Sequence, residues 1–163
     1  MADIARRKAA GARIEIWFQD EARIGQKNKI TLTRPRAPHD QRTRSAYIFG
    51  AICPKEGKAA DLVLPSCNSA AMTLHLEEIS GAVAPDAHAV VVMDQAGWHT
   101  SGKLDVPANV SILTLPSRAP ELNPVENVWQ FMRDNCLSNR VFSSHDDIVD
   151  HCCEAWNKLV PQP

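Results

Sequence analysis

From His88 to Met93 the chain reads His-Ala-Val-Val-Val-Met with no polar alternation, and the run then stops on an acid, Asp94. In an extended chain, successive side chains point to opposite faces. A segment that is apolar on both faces is therefore a central strand, covered from both sides. The rest of the chain is organised around this strand and the stretch that follows it, as far as Trp129.

The other elements follow in order. Ile14 to Asp20 alternates, with Ile14, Ile16, Phe18 and Asp20 on one face and Glu15, Trp17 and Gln19 on the other. Gly25 allows a turn, residues 29–33 form a short edge strand, and residues 35–41 are loop. Ser45 to Cys53 is a strand. Residues 54–57 turn, and Ala59 to Leu64 returns as its hairpin partner. Asn68 caps a helix from Ser69 to about Gly81. After the central strand, Lys103 to Val106 forms a short helical turn and Val110 to Leu115 another strand. Pro116, Pro120 and Pro124 keep the next loop from becoming helical early. Asn123 caps a helix with Pro124 in its first position. Val125, Val128, Trp129, Met132 and Cys136 form its apolar stripe. Ser144 caps a last helix, Asp146 to about Val160, with Ile148, Val149, Cys152, Trp156 and Leu159 facing inward.

Three acids stand at the ends of these rigid elements. Asp20 closes the first strand, Asp94 follows the central strand, and Glu126 lies in the first turn of a helix. Such a set suits hard divalent cations, which prefer oxygen ligands. Asp20 lies in line with an apolar face, where an acid is costly unless a cation or donors compensate it. Each acid has a plainer reading. Asp20 turns to water just past its strand, Asp94 caps a turn through Gly97, and Glu126 forms a capping-box-like pair with Asn123.

The blocks Asp20-Glu21-Ala22-Arg23-Ile24-Gly25, Asp94-Gln95-Ala96-Gly97-Trp98-His99 and Leu122-Asn123-Pro124-Val125-Glu126-Asn127-Val128-Trp129 resemble, in order, the three signature blocks of a DDE transposase. The similarity is greatest to bacterial insertion-sequence transposases of the mariner superfamily, the IS-six-thirty type, and covers roughly Ile14 to Arg140. It implies an α/β ribonuclease-H-like fold, a mixed central sheet flanked by helices. It also implies Mg2+-dependent cleavage of DNA at element ends and strand transfer into target DNA. Asp20, Asp94 and Glu126 would be the catalytic residues and would hold two Mg2+ ions, with Mn2+ as a substitute. Two such ions about 3.5–4 Å apart serve the attacking and leaving oxygens of an in-line displacement. Insertion at TA dinucleotides is expected from the resemblance alone. From Asp94 to Glu126 is 126 − 94 = 32 positions, slightly short for the family. The loop after Gly97 is the easiest place for the deficit.

DNA is the implied partner. Arg23, Lys27, Lys29, Arg34, Arg36, Arg42 and Arg44 form a basic band interrupted by one acid, Asp40. Such a band holds phosphates even when total charge is near zero; otherwise it is a solvated loop. His99 either contacts phosphate or metal-bound water, or is merely an exposed loop histidine. Glu21 points away from Asp20 and is no ligand. Trp98 and Trp129 are packing residues rather than base stackers. Cutting paired ends implies at least a homodimer in the working complex.

Length and composition bound the remainder. The 163 residues, 44% hydrophobic and 23% charged, suit one soluble domain. The expected division is a polar lead over residues 1–12 and the catalytic domain over 13–163. The resemblance implies a helix-turn-helix DNA-binding region ahead of the catalytic domain, for which there is no room here; either a separate chain supplies it, or this is a split reading frame, an excised piece or a remnant. A formal charge of −1 argues against a protein that coats nucleic acid along its whole surface. No apolar run nears the roughly 20 residues of a membrane span, and no signal peptide opens the chain. The expected location is the bacterial cytoplasm, on DNA. The odd set Cys53, Cys67, Cys136, Cys152 and Cys153 fits buried thiols in a reducing compartment better than a zinc site. Two alternatives stay open: a decayed or domesticated transposase domain that binds DNA without catalysis, and another ribonuclease-H-like nuclease.

Overall fold

The computed structural model describes residues 4, 6–7, 10–25, 45–95, 104–116, 122–137 and 140–159. Five strands form one sheet: β1 (Arg13–Gly25), β2 (Ser45–Cys53), β3 (Lys58–Leu64), β4 (Ala87–Met93) and β5 (Val110–Thr114). Their order across the sheet is β3-β2-β1-β4-β5. The β1–β2 and β2–β3 pairs are antiparallel, whereas β1–β4 and β4–β5 are parallel. The sheet is mixed, as the resemblance implies, and β4 is buried at every position.

Helices cover both faces. α1 (Ser69–Ala82) lies on one, packing Met72, Leu76 and Ile79 against Trp17, Phe49, Val91 and Met93. Asn68 caps it as expected, its side chain accepting from the Ala71 N–H at 3.0 Å. α2 (Val125–Met132), a π-helical turn (Arg133–Leu137) and α3 (His145–Leu159) lie on the other face. There Val125, Trp129, Met132, Ile148, Cys152 and Trp156 pack on Ile24 and Ile48. The expected stripe is largely buried, although its last member, Cys136, falls in the π-helical turn. Ser144 caps α3 by accepting from the Asp147 N–H at 3.1 Å.

Three expectations are corrected. Asn123 is not the N-cap of α2: Pro124 holds that position, ahead of the first helical residue Val125, and no side chain caps the helix there. β1 does not close on Asp20; it runs on to Gly25, because Phe18 to Gly25 pairs with Ser45 to Ile52 of β2. Residues 104–106 are not helical. Pro107 disfavours the helical region for the residue before it, and the Asp105 N–H bonds the Thr73 hydroxyl instead. The edge strand over 29–33 and the loop over 35–41 lie outside the described residues. In the polar lead, Ile4, Arg6 and Arg7 are helical, and an Arg7 Nη2 donates to the Ala108 carbonyl at 3.2 Å. Among the described residues no helix is long and apolar enough to cross a membrane.

Candidate active site

Strand pairing places the two aspartates side by side in sequence register. The last registered pair of the parallel β1–β4 ladder is Phe18 with Val92. Asp20 and Asp94 each lie two residues beyond it. Asp20 sits in mid-strand, opposite Gly50 of β2, on the face covered by α2 and α3. Asp94 follows the end of β4 and is exposed.

Asp20 is not turned to water. Burial pushes its carboxyl up to about 7, and the negative charges of Glu126 and then Glu21 add to the shift. The Glu21 backbone and the Trp129 indole act in the opposite direction. That indole Nε1 donates to Asp20 Oδ2 at 2.9 Å. Glu126 is exposed in the first turn of α2. Its backbone N–H donates to the Asn123 carbonyl, but its carboxylate accepts no hydrogen bond among the described residues. The capping-box role for its side chain is therefore not what is seen.

A second acid on β1 supplies the contrast. Glu15 is fully buried, yet its carboxyl is held below the ordinary range. Burial pushes it up, but Lys58 foremost, then the Ala84 N–H and the Trp17 indole, outweigh that. Lys58 Nζ lies 2.9 Å away and Arg13 Nη2 3.3 Å away. Glu15 is thus a satisfied structural acid with two cations. Asp20 has one neutral side-chain donor and two anionic neighbours.

The chemistry of this donor set fits a hard cation, which a cluster of oxygen donors with excess negative charge favours. The fit is partial. Asp20 and Glu126 are electrostatically coupled, whereas Asp94 sends its charge towards Cys67. Among the described residues no three His, Cys, Asp or Glu side chains are grouped closely enough to hold a metal.

The other sequence candidates divide. Glu21 does point away from Asp20: its carboxylate accepts from Gln19 Nε2 at 3.0 Å and from Cys67 Sγ at 3.8 Å. By the same alternation Arg23 stands on the Glu21 side of β1, exposed. Lys27, Lys29, Arg34, Arg36, Arg42, Arg44, Trp98 and His99 lie outside the described residues. The five cysteines are free thiols, with Cys152 buried in the core. Sequence reasoning missed the polar role of Trp129, a second role of Asn123 and the part of Gly50. One signal for Gly50 was present: a glycine amid bulky strand residues marks a close approach.

The sheet order, its helical layers and the position of Asp20 define a ribonuclease-H-like fold of the kind found in transposases. Residues 15–149 match the family described as DDE superfamily endonuclease, and the chain belongs to that family. An uncharacterized protein of Sinorhizobium fredii (strain NBRC 101917 / NGR234), y4pE/y4sA, is 65% identical over 118 residues, which are 72% of this chain and 87% of that protein. The Mos1 mariner paired end complex with Mn matches with a TM-score of 0.65 at 16% identity, over 95% of this chain and 51% of that one. The Mos1 strand transfer complex matches at 0.59 and 15%, over 95% and 50%. A simian T-cell lymphotropic virus intasome in complex with PP2A regulatory subunit B56 gamma matches at 0.52 and 12%, over 90% and 48%. The chain spans about half the length of these solved chains, and at such identities the likeness is one of fold.

Proposed function

We propose that this chain is the catalytic domain of a DNA transposase of the mariner superfamily, IS-six-thirty type. It cuts DNA at element ends and joins them to target DNA with two divalent cations, Mg2+ or Mn2+. Asp20, Asp94 and Glu126 would hold the ions. Bound there, the cations would activate a water or 3′-hydroxyl and stabilise the leaving oxygen. The observation that carries this reading is Asp20, half-buried beside Glu126 with only neutral donors and no cationic partner among the described residues. Paired-end cutting would require a homodimer, and a separate chain or segment would recognise the ends. The basic band from Arg23 to Arg44, together with His99, would contact DNA phosphates.

The test is a calorimetric Mn2+ titration of the wild type beside Asp20→Asn, Asp94→Asn and Glu126→Gln, followed by metal-dependent nicking of supercoiled DNA. Binding and nicking in the wild type, lost in each folded variant, are expected. A variant that nicks at the wild-type rate removes its residue from the site. One observation favours a second reading, a decayed domain that binds DNA without cutting it: among the described residues Asp20, Asp94 and Glu126 do not gather into one group of three that could hold a metal. DNA binding without nicking, with Mn2+ present, would select that reading.

A further inference from the structure

We propose that Trp129 is a positioning residue for Asp20: its indole N–H holds one carboxylate oxygen so that the other is presented to a cation. The inference rests on the metal-dependent reading above. Trp129 Nε1 donates to Asp20 Oδ2 at 2.9 Å, joining residues 109 apart in sequence. Oδ1 has no side-chain donor among the described residues. An indole N–H is a donor only, so it bonds the ionised carboxylate without competing for the cation.

The indole itself is locked. Trp129 is 2% exposed, and its ring packs on Trp156 with centroids 5.7 Å apart. Both rings lie over Gly50, the residue registered opposite Asp20. A Cβ at Gly50 would stand 2.6 Å from Trp129 Cη2 and 2.7 Å from Trp156 Cη2. The missing side chain is therefore what lets the two rings reach the sheet beside the acid. Outer residues that orient metal ligands in this way typically change metal affinity by about 10–100-fold when removed.

Trp129→Phe keeps most of the ring and deletes the donor. Calorimetry with Mn2+ should show about 10–100-fold weaker binding than wild type, with the melting temperature close to wild type. The metal-free protein supplies a second readout. In a 1H–15N spectrum the Trp129 indole resonance, assigned by its loss in Trp129→Phe, should shift in Asp20→Asn more than the other indoles. A folded Trp129→Phe that binds Mn2+ as tightly as wild type overturns the inference. So does an indole resonance indifferent to Asp20→Asn, which decides the matter if Trp129→Phe fails to fold. A wild type that binds no Mn2+ even with DNA present sinks the metal-dependent reading itself, and this inference with it.

Discussion

The Asn123 side-chain amide donates to the Gln19 backbone carbonyl at 2.9 Å, one residue before Asp20. The same side chain accepts from the Val125 N–H at 3.3 Å. One buried residue thus holds the first N–H of α2 from just ahead of its N-cap, Pro124, and hooks the helix start to β1, just past the last registered pair of β1 with β4. The hook fixes where Glu126, three residues on, stands relative to Asp20. Asn123→Ala removes the acceptor for the Val125 N–H and takes the amide donor from the Gln19 carbonyl, at a cost of about 1–3 kcal/mol in urea denaturation. Asn123→Asp keeps the acceptor but sets a charge against the Gln19 carbonyl, and should be at least as destabilising. A loss below about 0.5 kcal/mol for Asn123→Ala, the ordinary surface range, would show that the amide does not clamp.

Two titratable groups, half-buried Asp20 and fully buried His75, pull stability in opposite directions with pH. Asp20 ionises at about 7 in the fold against an ordinary value of 3.8, because burial and then Glu126 disfavour its charge. The native state therefore holds the extra proton between about 4 and 7, and stability is lost as pH rises through that window. Asp61, raised by burial and then by Glu78, adds in the same direction. His75, held down at about 3 by burial, does the reverse. The unfolded chain takes up its proton below about 6.5, so stability is lost as pH falls. In EDTA, Asp20→Asn should be more stable than wild type at pH 8, by on the order of 2–4 kcal/mol. Its stability should rise more steeply from pH 4.5 to 7 than that of wild type, whereas His75→Leu should steepen the fall. Denaturant midpoints across this range measure both, and an Asp20→Asn no more stable than wild type at pH 8 would contradict the assignment.

Local pattern made much of this fold legible. The unbroken apolar run ending at Met93 identified an interior strand covered on both faces, and Asn68 and Ser144 marked helix starts that the structure caps with those side chains. The alternation from Ile14 sorted β1 into its two faces, but Glu15, Trp17 and Gln19 are fully buried, whereas Ile16, on the face of Asp20, is half exposed. What the sequence did not display was pairing across the chain. β1 extends to Gly25 because β2 pairs with it there, a contact no local pattern encodes. Whether a buried acid is satisfied is equally non-local. Glu15 and Asp20 look alike in the strand, and only the arrival of Lys58 at one and Glu126 at the other separates them. Trp129 was legible as core from its stripe, but its donor role depends on which strand residue lies beneath it.

Gly50 is the tightest point of the packing beside the site. A methyl group there meets two buried rings at 2.6 and 2.7 Å, and neither is a flexible chain end. Gly50→Ala should therefore destabilise by roughly 1–3 kcal/mol, the usual cost of overpacking. Thermal denaturation measures this directly. Near-ultraviolet circular dichroism should change as well, since the Trp129–Trp156 pair must separate or tilt. An unchanged melting temperature would mean that the rings shift freely.

Lys58 and Asp20 should respond to substitution in opposite ways. Lys58 Nζ sits 2.9 Å from the fully buried Glu15, whose other cation, Arg13, is also shared with Glu56 and Asp86. Removing one partner of a buried charge is strongly destabilising, because the remaining charge stays desolvated. Lys58→Met should lose on the order of 2–4 kcal/mol, and adding Glu15→Gln should recover part of it by removing the stranded charge. Neither change touches Asp20, so Mn2+ affinity of the folded fraction should stay at the wild-type value. Asp20→Asn should do the converse, gaining stability above pH 7 and losing the ion. Paired urea and Mn2+ titrations on these variants separate an acid that holds the fold from one that serves the site. Lower Mn2+ affinity in folded Lys58→Met would mean that the two ends of β1 are coupled and that the separation is wrong.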